Sequence, residues 1–151
     1  MLSEVLKTIF TRDLIKVKKE IELYQQEAAI WKVDKQIPNS AGNLCLHLVG
    51  NLNTYIGAAL GHSGYVRHRE LEFSSKDIPK AELIRKIEDT IAIVEKTLST
   101  FTDQQLKEEY PVLVWEEKTS TEYLLVHLAT HLAYHLGQIN YHRRLLDTTN
   151  G

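Results

Sequence analysis

Residues 80–101 read KAELIRKIEDTIAIVEKTLSTF, and Ile84, Ile87, Ile91, Val94, Leu98 and Phe101 recur in them at alternating steps of three and four. Side chains so spaced share one stripe of an α-helix, and Pro79 suits an early helical position, where the missing N–H has no intrahelical partner to lose. The same period recurs on both sides. Leu2, Val5, Ile9, Leu14, Val17, Ile21 and Tyr24 predict a first helix from about Leu2 to about Ala29, with Lys16, Lys19, Glu20 and Glu22 off its stripe. Leu44, Leu48, Leu52, Tyr55 and Ile56 predict a second, capped by Ser40 and ended by Gly57, Gly61 and Gly64. A further helix should start at a capping box of Thr119 and Glu122 and run to about Leu146, closing on Arg143 and Arg144.

The stretches between these helices read as connections. Trp31 to Pro38 suits extended chain, His62 to Lys80 a long linker, and Thr102 to Lys118 a second crossover in which Val112-Leu113-Val114-Trp115 alternates like a short strand. Glycine and proline number 7 and 3, and most of them fall in these breaks. The expected fold is therefore all-α: a four-helix bundle with long crossover connections, one domain over residues 1–151.

Composition removes several classes of function. Eighteen basic and 20 acidic side chains leave a formal charge of -2, with no Lys/Arg block to track phosphates, so nucleic acid is not the expected partner. The long uncharged stretch Ile37 to Val66 is too polar and too broken by Pro38 and glycines to span a membrane. Met1 to Lys7 carries Glu4 and no cleavage site, unlike a signal peptide. The lone Cys45 excludes a disulfide framework and a cysteine zinc site. The expectation is a cytoplasmic protein, with Cys45 as a small core residue.

Histidine supplies the chemistry. Three of seven, His127, His131 and His135, fall within nine residues of the last helix. A step of four turns a helix by about 400°, so neighbours in the series lie about 40° and 6 Å apart and can share one cation. His127 and His135, about 12 Å apart along the axis, cannot both join one ion, so either adjacent pair is open and a third ligand must come from elsewhere. His47 offers it, because it precedes Leu48 just as His131 precedes Leu132 and His135 precedes Leu136, which places both polar stripes on the same flank of their apolar faces. A single histidine on a helix is more often a packed core or surface residue, and His62, His68 and His142 are read as exposed or linker positions. Asn51 and Gln138 extend the two stripes as neutral hydrogen-bonding groups beside ligands or substrate. No Glu follows His131 and no Glu-x-x-His occurs, which argues against a zinc-protease site and a dinuclear carboxylate site. A mononuclear, three-imidazole site suits zinc, nickel, copper or iron.

Thr130-His131-x-x-Tyr134-His135-x-Gly137-Gln138-Ile139 resembles the closing signature of the DinB/YfiT-like superfamily, four-helix bundles that hold a divalent metal with three histidines. His47-Leu48-x-Gly50-Asn51, followed by Arg67-x-Arg69-Glu70-x-Glu72-Phe73, resembles an uncharacterised branch of it, and the likeness runs from Leu2 to Leu146. The resemblance implies His47, His131 and His135 as ligands and leaves His127 out. It implies a divalent ion, zinc or nickel ahead of manganese or iron. It further implies a metal-dependent enzyme, either a small-thiol-dependent S-transferase or a hydrolase, acting on a small molecule such as a low-molecular-weight thiol, and a homodimer. The alternative is a non-catalytic metal-binding or stress-associated helical protein. Arg67 and Arg69 could clamp a substrate anion or form an ion-paired loop packed through Phe73; the acids around them favour the loop. Tyr55 and Tyr134 are candidates for substrate contact, though such residues are commonly core aromatics with a polar tip.

Overall fold

The structure, a computed structural model, describes residues 1–148, so the last three positions of the expected domain lie outside the described residues. Six α-helices follow one another: α1 Leu2–Leu23, α2 Ala41–Leu52, α3 Arg69–Ser74, α4 Lys80–Ser99, α5 Asp103–Lys107 and α6 Thr121–Leu146. A 3₁₀ turn, Glu27–Trp31, follows α1, and a π-helical turn, Asn53–Ala58, prolongs α2. Among the described residues there is no strand, only the isolated bridges Asp34–Ile37 and Glu109–Ser120. None of the helices is long and apolar enough to cross a membrane.

The periodic stripes explain the packing. α1 lies against α4 and α6, and α2 against the same two helices, so the four long helices share one core. Phe10, Leu14, Ile21, Leu48, Leu52, Ile87, Leu124 and Leu132 are at most 1% exposed within it. Each contributes about 1.5–3 kcal/mol by leaving water. On α4 the buried stripe also takes in Leu83, Thr90 and Thr97, while Ile84 and Ile91 sit at its edge. Thr90 can be buried because its Oγ1 donates to the Lys86 carbonyl at 2.7 Å and accepts from Asn53 Nδ2 at 2.9 Å.

Several expected boundaries move, each for a visible reason. The first helix ends at Leu23, not Ala29, because the Asp147 carboxylate accepts from the Gln25 and Gln26 N–H groups at 2.8 and 3.1 Å, and Lys80 Nζ donates to the Glu22 and Tyr24 carbonyls. These tertiary bonds satisfy the groups that further helix would have used. Ser40 caps α2 as expected, accepting from Asn43 N at 3.1 Å. The cap of α6 is Ser120, one residue past the expected box, and its Oγ accepts from Tyr123 N. The linker folds in part into α3. The second crossover holds α5, with a capping box of Thr102 and Gln105, and Val112 to Trp115 form no strand. Alternation in so short a run found no neighbouring chain to pair with.

Candidate metal centre

His47 stands in the middle of α2 and is only 7% exposed; His131 and His135 face it from α6 and are half-buried. His131 Nε2 lies 3.2 Å from His47 Nε2 and 3.1 Å from His135 Nε2. Each residue offers one nitrogen, and all three lie within 4.8 Å of one another, so the trio could hold a metal ion.

The outer nitrogens settle which atoms point inward. His47 Nδ1 stands 3.0 Å from Glu72 Oε1. Burial pushes the Glu72 carboxyl up, but hydrogen bonds from His47 and Arg67 outweigh it and hold the group below the usual range. Glu72 is therefore an ionised acceptor to which His47 Nδ1 donates, and this leaves His47 Nε2 as the nitrogen turned towards the cluster. His135 Nδ1 likewise donates to Gln138 Oε1 at 2.7 Å and turns its own lone pair inward. His131 Nε2 thus faces two lone pairs and, with at most one ring proton, can satisfy only one of them. A cation satisfies all three at once. The 3.1–3.2 Å separations of His131 Nε2 from the other two nitrogens are short enough for those nitrogens to share one ion. Three imidazole nitrogens are a donor set that would suit a divalent ion.

Burial first, then the neighbouring His135 and His47, lower the His131 pKa to about 4. Burial lowers His135 too, partly offset by its bond to Gln138. Near pH 7 both imidazoles are neutral, the form that binds metal.

Behind His47 the support is layered. Arg67 grips Glu72 with Nε at 2.8 Å and Nη2 at 3.0 Å, the two-pronged geometry that makes Arg–carboxylate pairs strong. Gly50 makes room: a Cβ there would collide with the Glu72 carboxylate. Phe73 places its ring 5.0 Å from that of His47, and Arg67 lies 5.8 Å above the Tyr55 ring. The ion-paired reading of Arg67 and the functional one thus meet, since its partner Glu72 orients His47. Sequence reasoning quoted Glu72 within a motif but gave it no part in the site. The available signal was an acid three residues after the Arg67-x-Arg69 pair, in a linker following a histidine helix.

The remaining candidates divide. Gln138 reaches the site and Arg69 does not, being exposed and set over Phe73 at 5.5 Å. Asn51 is 7% exposed, and among the described residues its buried Oδ1 has no hydrogen-bond partner, nor has His131 Nδ1. Tyr55 is half-buried beneath Arg67; Tyr134 is 65% exposed, its ring 5.3 Å from His135. His127 stays outside the cluster, exposed and stacked edge-on to Trp115 at 4.9 Å. His142 reverses its expected exposure. It is 2% exposed, with Nδ1 accepting from Tyr24 Oη at 2.6 Å and Nε2 donating to the Lys32 carbonyl at 2.8 Å. Those two partners, from the α1 terminus and the 3₁₀ turn, fold over it and could not be read from the helix alone. Cys45 is fully buried, and burial pushes its thiol up to about 12, so it is unreactive.

Fold and site together define an all-α protein with a three-histidine cluster able to hold a metal. The chain belongs to the family described as protein of unknown function (DUF1572), whose model matches residues 3–150. Among solved structures it is similar to a conserved protein from Enterococcus faecalis at 17% identity and a TM-score of 0.78, with 97% of each chain covered, a likeness of fold alone. No curated protein matches the chain.

Proposed function

We propose that the chain is a metal-dependent enzyme of DinB/YfiT type, a four-helix bundle in which His47, His131 and His135 hold one divalent ion, zinc or nickel ahead of manganese or iron. The observation that carries this reading is the inward convergence of three Nε2 atoms, two of them forced to present lone pairs by Glu72 and Gln138. A divalent ion there supplies Lewis-acid chemistry and lowers the pKa of a water or thiol ligand.

Around the cluster, the protein's own groups favour transfer of a small thiol over hydrolysis. Among the described residues no carboxylate joins the ligand set, and Glu72, the acid that touches it, is already engaged by His47 and Arg67. Water and a thiol can both lose a proton on coordination, but a thiol starts from a far lower pKa and needs less help from a protein base, which favours it as the nucleophile. Gln138 and Tyr134, both beside His135, are available to position the other substrate, and Asn51 is kept as a further candidate. The same reading includes a homodimer, as the family resemblance implies.

Elemental analysis of untagged protein tests this directly. One equivalent of metal is expected in the wild type and less than a tenth in His131→Ala and His135→Ala. Reconstituted protein should then conjugate a small thiol to a chromogenic electrophile. Failure to bind zinc, nickel, manganese or iron would refute the reading; full binding without turnover would favour a non-catalytic metal protein.

A further inference from the structure

Between the 36–39 turn and the last turns of α6 lies a cavity of 370 Å³, within the range of small-molecule sites. Ile37, Pro38, Leu44, Tyr141 and Leu145 give it apolar walls, and Gln138 forms part of its lining. Three observations single it out. None of its lining residues is Asp, Glu, Lys or Arg, although a quarter of the chain is charged. His142, also in the wall, has both nitrogens engaged by Tyr24 and Lys32, and burial holds it neutral. Gln138 gives its Oε1 to His135, while its Nε2 amide donates to no described residue. One side chain thus connects the cavity to the histidine cluster and keeps a donor free.

We infer that this cavity binds a neutral, largely apolar small molecule carrying a hydrogen-bond acceptor, and that the acceptor meets the Gln138 amide. An anion or ammonium would shed its hydration with no counter-charge in the wall, a cost that selects against charged ligands. An apolar body meets Pro38, Leu44 and Leu145 instead. If the metal-dependent reading above holds, this pocket receives the organic partner of the thiol. That link rests on that reading, while the pocket itself does not.

The test uses full-length protein and 6-propionyl-2-(dimethylamino)naphthalene, a neutral ketone fluorophore, with the anionic naphthalene dye anilinonaphthalene sulfonate as the charged comparison. Saturable binding of one neutral probe per chain is expected. Leu145→Trp, which fills the mouth from a residue that is 60% exposed and so leaves the core intact, should weaken it about tenfold. Tyr123→Ala, on the same helix outside the cavity, should leave it within twofold. The sulfonate should bind about tenfold more weakly than the ketone. In cobalt-loaded protein the ketone should alter the visible absorption of the metal through Gln138. Absence of saturable binding, or indifference to Leu145→Trp, overturns the pocket. Equal affinity for the sulfonate overturns the neutral class. Protein that binds the ketone but no cobalt keeps the pocket and removes its link to the metal, so the two readings fail separately.

Discussion

Replacing Glu72 with Gln tests the support behind the histidines most sharply. The carboxylate accepts three bonds, from His47 Nδ1 at 3.0 Å and from Arg67 at 2.8 and 3.0 Å. The amide keeps one acceptor oxygen, and its NH₂ must then face either the guanidinium or the imidazole N–H, donor against donor. A charge-assisted bond is worth about 1.5–3 kcal/mol and a neutral one about 0.5–1.5. His47 therefore loses about 1–1.5 kcal/mol of the interaction that fixes its tautomer and raises its basicity. Metal affinity should fall about tenfold, in keeping with the 10–100-fold typical of such partners. Stranding a charge inside costs about 3–5 kcal/mol when full, and the 14% exposure of the Arg67 side chain lets it turn outward, favouring the lower end. Competition against a chromophoric chelator reads the first effect, and urea unfolding in EDTA the second. The pair Arg67→Met with Glu72→Leu should restore stability, because no stranded charge remains, yet leave affinity low. A folded Glu72→Gln protein that binds metal within twofold of wild type would refute the assignment and leave Glu72 a purely structural ion pair.

Three further outcomes follow from the same coordinates. In EDTA, stability should fall as pH drops from about 6.5 towards about 4: the folded His131 value lies below the ordinary one, so the unfolded chain takes up protons first, and the contribution is complete only above the unfolded pKa. Urea midpoints across that range should show a flatter profile for His131→Leu. Leu132→Ala removes a side chain that is fully buried beside that ligand and should cost about 2–5 kcal/mol by denaturant unfolding. Ser120→Ala deletes the cap of α6 and should cost about 1 kcal/mol in the same assay.

How far the sequence reached depends on the range of the forces involved. Steps of three and four between apolar residues act within one helix, and they located the four long helices, the Ser40 cap and the basic close of α6. The same local geometry brings His131 and His135 together, because a four-residue step leaves side chains neighbours whatever lies around them. It could not choose between that pair and His127 with His131, since both are one turn apart. Packing of α2 on α6 made that choice by bringing His47 Nε2 to His131. The other decisions were also made by groups far apart in the chain: Glu72 beneath His47, 25 residues away, Asp147 at the end of α1, Tyr24 and Lys32 around His142. Residue order alone determined a helical protein with a histidine pair on one face. The matching stripes and the resemblance named His47 as the third member; which acid orients it, only the folded chain decides, because contacts between distant residues form where burying the apolar stripes leaves their side chains side by side.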